Sequence, residues 1–141
     1  MIIGPAPWMH FPWIIERAGV TATAGFKAIE AIGDDGRIHG MMGYDSWTQN
    51  SVVMSIALDN PACFRSLVRA GFEYPFIQAD KGVVLCTIRA TNSRSVRLTE
   101  HVGFRLAYRI RDGIAVGEDM LLYEMRREDC RWIPAQFRKA A

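Results

Sequence analysis

The groups in this chain best suited to moving a proton are Glu30, His39, Tyr44, Asp45 and Ser55, all within segments that read as extended strands. Histidine is the side chain type whose ordinary charge change falls near neutral pH, so His39 has the chemistry of a general base. A single histidine in a strand serves equally well as a structural residue. His10 and His101 carry less weight. No two of these groups stand at a spacing that singles out an acid and its base, so the sequence assigns no catalytic residue. The three cysteines, Cys63, Cys86 and Cys130, are far apart and form no CxxC pair. They suggest neither a disulfide framework nor a zinc site, and no metal is expected.

The elements that must position these groups change period halfway along the chain. FKAIEAI (26–32), RIHGMMGYDSW (37–47) and VVMSIAL (52–58) read as three strands of an antiparallel meander. Gly33-Asp34-Asp35-Gly36 and Thr48-Gln49-Asn50-Ser51 supply its turns. Gly40 and Gly43 weaken the second strand. Asp59 or Asn60 then caps a helix with Pro61 at its first position, and Phe64, Leu67, Val68, Gly71 and Phe72 put one apolar stripe on it. Tyr74-Pro75 ends or kinks that helix. VVLCTI (83–88) fits a buried strand, Asn92 or Ser93 caps a second helix, and Gly103 sits at its left-handed C-terminal position. Strands over 104–111 and 119–126 follow, around a turn from Asp112-Gly113 to Gly117. The fold class is α+β, a mixed sheet with helices on its faces in the order β-β-β-α-β-α-β-β, formed by residues 1–141 as one domain.

Residues 83–104, VVLCTIRATNSRSVRLTEHVGF, carry a resemblance. A strand, an Asn opening a helix, Ser three residues on, Leu six on, and Gly-Phe at eleven and twelve closely resemble the fifth strand and following helix of GNAT N-acetyltransferases. The Asn-x-x-Ser form is similar to the branch that acetylates ribosomal-protein N-termini. The Phe72-Glu73-Tyr74-Pro75-Phe76 run and the terminal Cys130-Arg131-Trp132 resemble phage and prophage-type members. Each of these residues also has a local structural reading, Asn92 as a helix N-cap and Gly103 as a C-cap.

The resemblance implies acetyl-CoA as cofactor and a small-molecule or peptide amine as acceptor, attacked directly in a ternary complex. In that superfamily the fourth and fifth strands splay apart, and the free edge of the fourth holds the pantetheine arm. Here that role falls to the backbone of Ile56, Ala57 and Leu58. The coenzyme's pyrophosphate is expected at the start of the next helix, around Asn60 to Arg65, where free amides and the helix dipole favour an anion. Phe64 and Arg65 belong to that loop, and Asn92, Ser95 and Thr99 are expected along the pantetheine or near the sulfur. Two departures stand out. The family's Arg/Gln-x-x-Gly-x-Gly/Ala loop is replaced by Asp59-Asn60-Pro61-Ala62-Cys63-Phe64-Arg65, which has no glycine. Arg65 and Arg69 read either as compensating phosphate contacts or as exposed helix arginines. The family's acidic Tyr is replaced by Thr99, a poor proton donor. These departures leave a second reading open: a non-catalytic GNAT-fold module that binds an acyl-CoA or a protein.

Residues 1–24 offer at most one short helix, short of the strand and two helices usual in the family. Either the acceptor groove is unusually open or a second subunit completes it, and a homodimer is the expectation favoured. Trp8, Phe11, Trp13, Tyr44 and Trp47 either line an acceptor pocket or cover the sheet as core. The formal charge is +2 over 141 residues. That gives no reason to expect nucleic acid, and it disfavours a toxin-like enzyme acting on aminoacyl-tRNA, which needs a basic channel. The basic C-terminal stretch (Arg126, Arg127, Arg131, Arg138, Lys139) reads as a solvated tail. No apolar run approaches the roughly 20 residues that span a bilayer, and MIIGPAPWMHFPW lacks the features of a secretory signal. The expected compartment is the cytoplasm.

Overall fold

A computed structural model describes residues 1–139. The elements are β1 (Ile2–Pro5), α1 (Phe11–Ala18), β2 (Lys27–Ile32), β3 (Ile38–Asp45), β4 (Ser51–Leu58), α2 (Phe64–Glu73), β5 (Val83–Arg89), α3 (Ser93–Val102), β6 (Arg105–Ala115) and β7 (Glu118–Arg126). They build one seven-stranded sheet in the order β1-β2-β3-β4-β5-β7-β6. β4 and β5 are its parallel neighbours; every other pairing is antiparallel.

Local chemistry accounts for the connections. Asp35 accepts the Arg37 amide within the β2–β3 turn, and the Thr48 hydroxyl accepts the Asn50 and Ser51 amides before β4. The Asn60 side chain accepts the Ala62 amide at 3.0 Å and caps the tight turn that leads into α2. Asn92 does the same for α3 by accepting the Ser95 amide. Gly103, at φ +118, ends α3 in the left-handed region that glycine enters without penalty.

The sheet is covered on both faces. α2 and α3 pack over a core that includes Met42, Tyr44, Met54, Leu67, Val68, Phe72, Val102, Phe104 and Tyr123. On the other face α1 covers a smaller core of Ile14, Phe26, Ala28, Met41 and Ala57. The β3 glycines are requirements of this packing rather than weak points. A Cβ on Gly40 would stand 2.8 Å from Cys63 Sγ and 2.8 Å from a Leu67 methyl, and one on Gly43 would stand 2.6 Å from the Phe26 ring.

Three expectations are corrected and one is sharpened. Residues 2–5 form a strand, β1, paired with Ile29–Ile32 of β2, so the N-terminal segment supplies an edge strand as well as a helix. Tyr74-Pro75 does interrupt the second helix, whose α geometry stops at Glu73, but the segment continues through one π turn over Tyr74–Gln78. Pro75 has no N–H for the carbonyl of Gly71, four residues back, and the Tyr44 hydroxyl donates to that carbonyl instead. β6 runs on to Ala115, past Asp112-Gly113. The C-terminal stretch is not a free tail. Arg131 donates to the His101 carbonyl, Trp132 Nε1 to that of Val102 at 2.8 Å, and Arg127 Nε to that of Phe137. The first two satisfy carbonyls at the C-terminus of α3, where positive charge is favoured.

Candidate active site

The sheet opens along one seam. β4 and β5 pair only through Ser51–Val53 with Val83–Leu85. Beyond that point β4 continues to Leu58, held by β3 alone, and β5 continues to Arg89, held by β7 alone. The closed end is pinned: Lys81 Nζ donates to the Thr48 and Gln49 carbonyls, and the Gly82 amide donates to Asn50 Oδ1 at 2.9 Å. The result is a V whose arms carry main-chain groups without strand partners. Such an edge can hydrogen-bond an extended ligand as an added strand would. Ile56, Ala57 and Leu58 lie on the open stretch of β4, paired on the far side with Met42, Met41 and Gly40.

The wide end of the V leads to the start of α2. Asp59, the one acidic residue there, is turned into a two-bond pair with Arg17 of α1, with Nε to Oδ1 and Nη2 to Oδ2 both 3.0 Å. Its charge is thereby compensated beside a helix start that would otherwise attract anions. Arg65 and Arg69 are exposed on α2. Phe64 is half-buried and bridges the two helices, its ring 5.8 Å from those of His101 and Trp132.

On α3, Asn92 is exposed with its side chain engaged in its own helix cap, and Ser95 is half-buried. Thr99 is only 5% exposed. It faces β5 beside the Cys86 thiol, which burial pushes up to about 12. Of the predicted residues, the structure therefore gathers Ile56, Ala57 and Leu58 on one arm of the V and Phe64 and Arg65 at its mouth. Asn92, Ser95 and Thr99 follow along the helix behind the other arm.

The proton-transfer candidates disperse. Tyr44 is in the core, bonded to Gly71, and burial raises its phenol well above the usual range. Asp45 accepts the Thr23 amide and hydroxyl and holds the segment before β2. His39 Nε2 lies 3.0 Å from Asp35 Oδ1 at the outer end of β3. Glu30 is 7% exposed and lies 2.7 Å from His10 Nδ1. That pair went unread because its members are 20 residues apart, in a turn and a strand. Ser55 alone borders the opening. Its pairing with Gly43 puts its side chain on the α1 face.

The register identifies two further groups there. Leu85 is paired with both Val53 and Glu124, and Thr87 with Leu122, so Glu124 and Thr87 project from the α1 face beside the V. Single residues of β5 and β7 carry no sequence signal for this; only strand pairing places them. The aromatic residues divide as well. Tyr44 and Trp47 pack with Tyr74, whereas Phe11 meets Phe26 edge-on and Trp8 is 75% exposed. Among the described residues no cluster of His, Cys, Asp and Glu could hold a metal ion, and no helix is long and apolar enough to cross a membrane.

This architecture is the GNAT fold. It matches solved structures of the spermidine/spermine N-acetyltransferase SpeG from Vibrio cholerae. A mutant form of that enzyme superposes with a TM-score of 0.75 and 9% identity over 96% of this chain and 97% of the other. Its complex with manganese ions gives 0.71 and 10% over 89% and 91%. No family model matches the chain, and no curated protein matches it in sequence. At such identities the likeness is one of fold; the finer resemblance to the ribosomal-protein branch and to phage-type members rests on sequence motifs alone.

Proposed function

We propose that this chain transfers an acetyl group from acetyl-CoA to a primary amine by direct attack in a ternary complex. The observation that carries the reading is the parting of β4 and β5 after Val53 and Leu85. The residues present fit the coenzyme: an unpaired strand edge for the pantetheine arm at Ile56–Leu58, and for the pyrophosphate the Asn60-capped turn that leads into α2, with Arg65 and Arg69 beyond it. Asp59, which would repel that group, is held by Arg17. When bound, acetyl-CoA supplies an activated thioester. The chain's own contribution is to hold and orient: amides of the β4 edge lie where a developing oxyanion could be stabilised. The acceptor enters from the α1 face, past Ser55, Thr87 and Glu124. As the C–N bond forms and the C–S bond breaks, the ammonium proton passes to a carboxylate or water on that face. Thr99, turned toward Cys86, supports the wall behind β5 and serves no acid role. A thiolate leaves without an acid at neutral pH more readily than an alkoxide does.

Among the described residues no helix covers the β5–β7–β6 part of the α1 face, and Tyr108 is 67% exposed on it. A second copy completing the acceptor side is part of this proposal. The polyamines named for the Vibrio cholerae enzyme make spermidine and spermine the first acceptors to test. Calorimetric titration with acetyl-CoA, followed by thiol release with an amine panel, decides the matter. Micromolar binding with amine-dependent release is expected. Binding without release supports the non-catalytic module, which the glycine-free loop and the burial of Thr99 favour. No binding removes the proposal.

A further inference from the structure

We infer that the chain has a second small-molecule site, for a zwitterion with an apolar arm, in the cavity that wraps the β1–β2 edge of the sheet. The cavity holds about 680 Å³, within the range of sites that enclose small ligands. It stands apart from the V-shaped opening: β2 lies two strands from β4, about 10 Å at ordinary strand spacing. The inference is therefore independent of acetyl-CoA.

The walls are largely apolar and include four aromatic rings. Trp8 and Phe11 come from the N-terminal turn and α1, Phe26 from the start of β2, and Tyr74 from the far end of α2. Two charged residues share the lining, Lys27 and Glu73. Lys27 is paired with Tyr44, whose ring lies on the α2 face and meets Tyr74 edge-on, so Lys27 emerges on the face that Glu73 occupies. Lys27 is exposed and Glu73 half-buried. Among the described residues neither makes an ion pair, with each other or with any third group. A carboxylate partly withdrawn from water beside aromatic rings is costly without a partner, and a bound cation relieves that cost. The rings favour the same cation. Lys27 then offers the complementary charge for an anionic group at the lip.

A separate feature points to the same place. The π turn over Tyr74–Gln78 is the one irregularity in the helical segment, and both Tyr74 and Gln78 line the cavity. Such turns recur at functional sites because the widened coil re-aims side chains. Here it sets the Tyr74 ring and the Gln78 amide on one wall. The geometry thus fits an amino acid with an aromatic or branched apolar side chain, its ammonium on Glu73 and its carboxylate on Lys27.

The test uses the full chain, first alone and then saturated with coenzyme A, titrated calorimetrically with three probes. These are L-phenylalanine, phenethylamine, which lacks the carboxylate, and hydrocinnamate, which lacks the ammonium. Phenylalanine should bind most tightly. Glu73→Gln should weaken phenylalanine and phenethylamine about tenfold and leave hydrocinnamate unchanged. Lys27→Met should do the converse, and Ala70→Phe, which fills the cavity, should abolish all binding. Glu73→Gln and Lys27→Met alter only side-chain charge near the surface, so they stay informative if Ala70→Phe does not fold. Absence of phenylalanine binding, or binding indifferent to both charge variants, overturns the inference.

Discussion

Arg17→Met should weaken coenzyme A binding while leaving the fold almost as stable as before. Arg17 does two things at the mouth of the V. Its guanidinium stacks on Trp13 at 3.9 Å, and it holds both oxygens of Asp59 at 3.0 Å. The side chains are 35% and 49% exposed, and pairs of that exposure contribute about 0–1 kcal/mol to stability. Its removal therefore shifts the melting temperature by only a few degrees. The effect on an anion bound at the start of α2 is larger, because Asp59 is left uncompensated. A unit charge about 8 Å away costs ~0.5 kcal/mol in bulk water and ~2 kcal/mol at an effective dielectric of about 20. The mouth lies between these limits, so a loss of about fivefold is expected at low salt, shrinking as ionic strength rises.

The control is Asp59→Asn. Alone it should leave affinity equal or slightly higher, since it removes the only carboxylate at that turn. Combined with Arg17→Met it should recover most of the lost affinity. Calorimetry with coenzyme A at two salt concentrations reads all four proteins. Equal affinity across the set, or a deficit in Arg17→Met that Asp59→Asn does not repair, would refute the placement of the pyrophosphate at this helix start.

The remaining expectations concern the protein as a folded object and its buried thiols. Burial raises Cys86 to about 12 and Cys130 to about 11, and it also raises Cys63. In the unfolded chain these thiols ionise near their ordinary value, so stability is intact below about pH 8.5 and declines as pH rises toward the folded values, by about 1.4 kcal/mol per unit for each fully buried thiol. Denaturant titrations at pH 8 and 10 should show that loss, and an aromatic disulfide reagent at pH 8 should label the native chain far more slowly than the unfolded one. Trp132→Phe removes the donor to the Val102 carbonyl and should cost about 1 kcal/mol. A melting curve unchanged from the parent would show that the C-terminal segment is not docked on α3.

How much of this was legible in the chain depended on the range of the forces involved. Caps are local: of the pairs the sequence offered, Asp59 or Asn60 and Asn92 or Ser93, the structure uses Asn60 at the turn before α2 and Asn92 at the start of α3, and Gly103 ends α3 as expected. Strand order in the second half followed from apolar runs and turns. β1 was invisible because four residues, Ile-Ile-Gly-Pro, are too few to show alternation, and the strand exists only through its pairing with β2. The π turn that carries the segment past Pro75 was not legible for a related reason. Proline ends a helix when the orphaned carbonyl finds no donor, and here the donor is Tyr44, 27 residues earlier and on another element. The site followed the same rule. The backbone edge at Ile56–Leu58 could be named only through the resemblance to the GNAT family, whereas Tyr44, Asp45 and Glu30 had bonds that only the tertiary structure reveals.

The opening itself has a structural cause that the helices make plain. α2 packs back over β1, β2 and β3 rather than over the strand it follows, and α3 returns against its own strand, with Thr99 on Cys86. The sheet is thus two sub-sheets, β1–β4 under α2 and β5–β7 under α3, each with its own cover. They share a core in which Phe72 lies 5.8 Å from Phe104, and they share three residue pairs at the closed end of the seam. Neither helix lies across the open part, so nothing draws the outer halves of β4 and β5 together. Helices packed side by side need about 8–10 Å between axes, roughly twice the spacing of paired strands. Sub-sheets that follow separate helices therefore diverge unless a further element clamps them. Among the described residues the clamp sits only at the closed end, in Lys81 and Gly82, and the unpaired edge of β4 follows from its absence elsewhere.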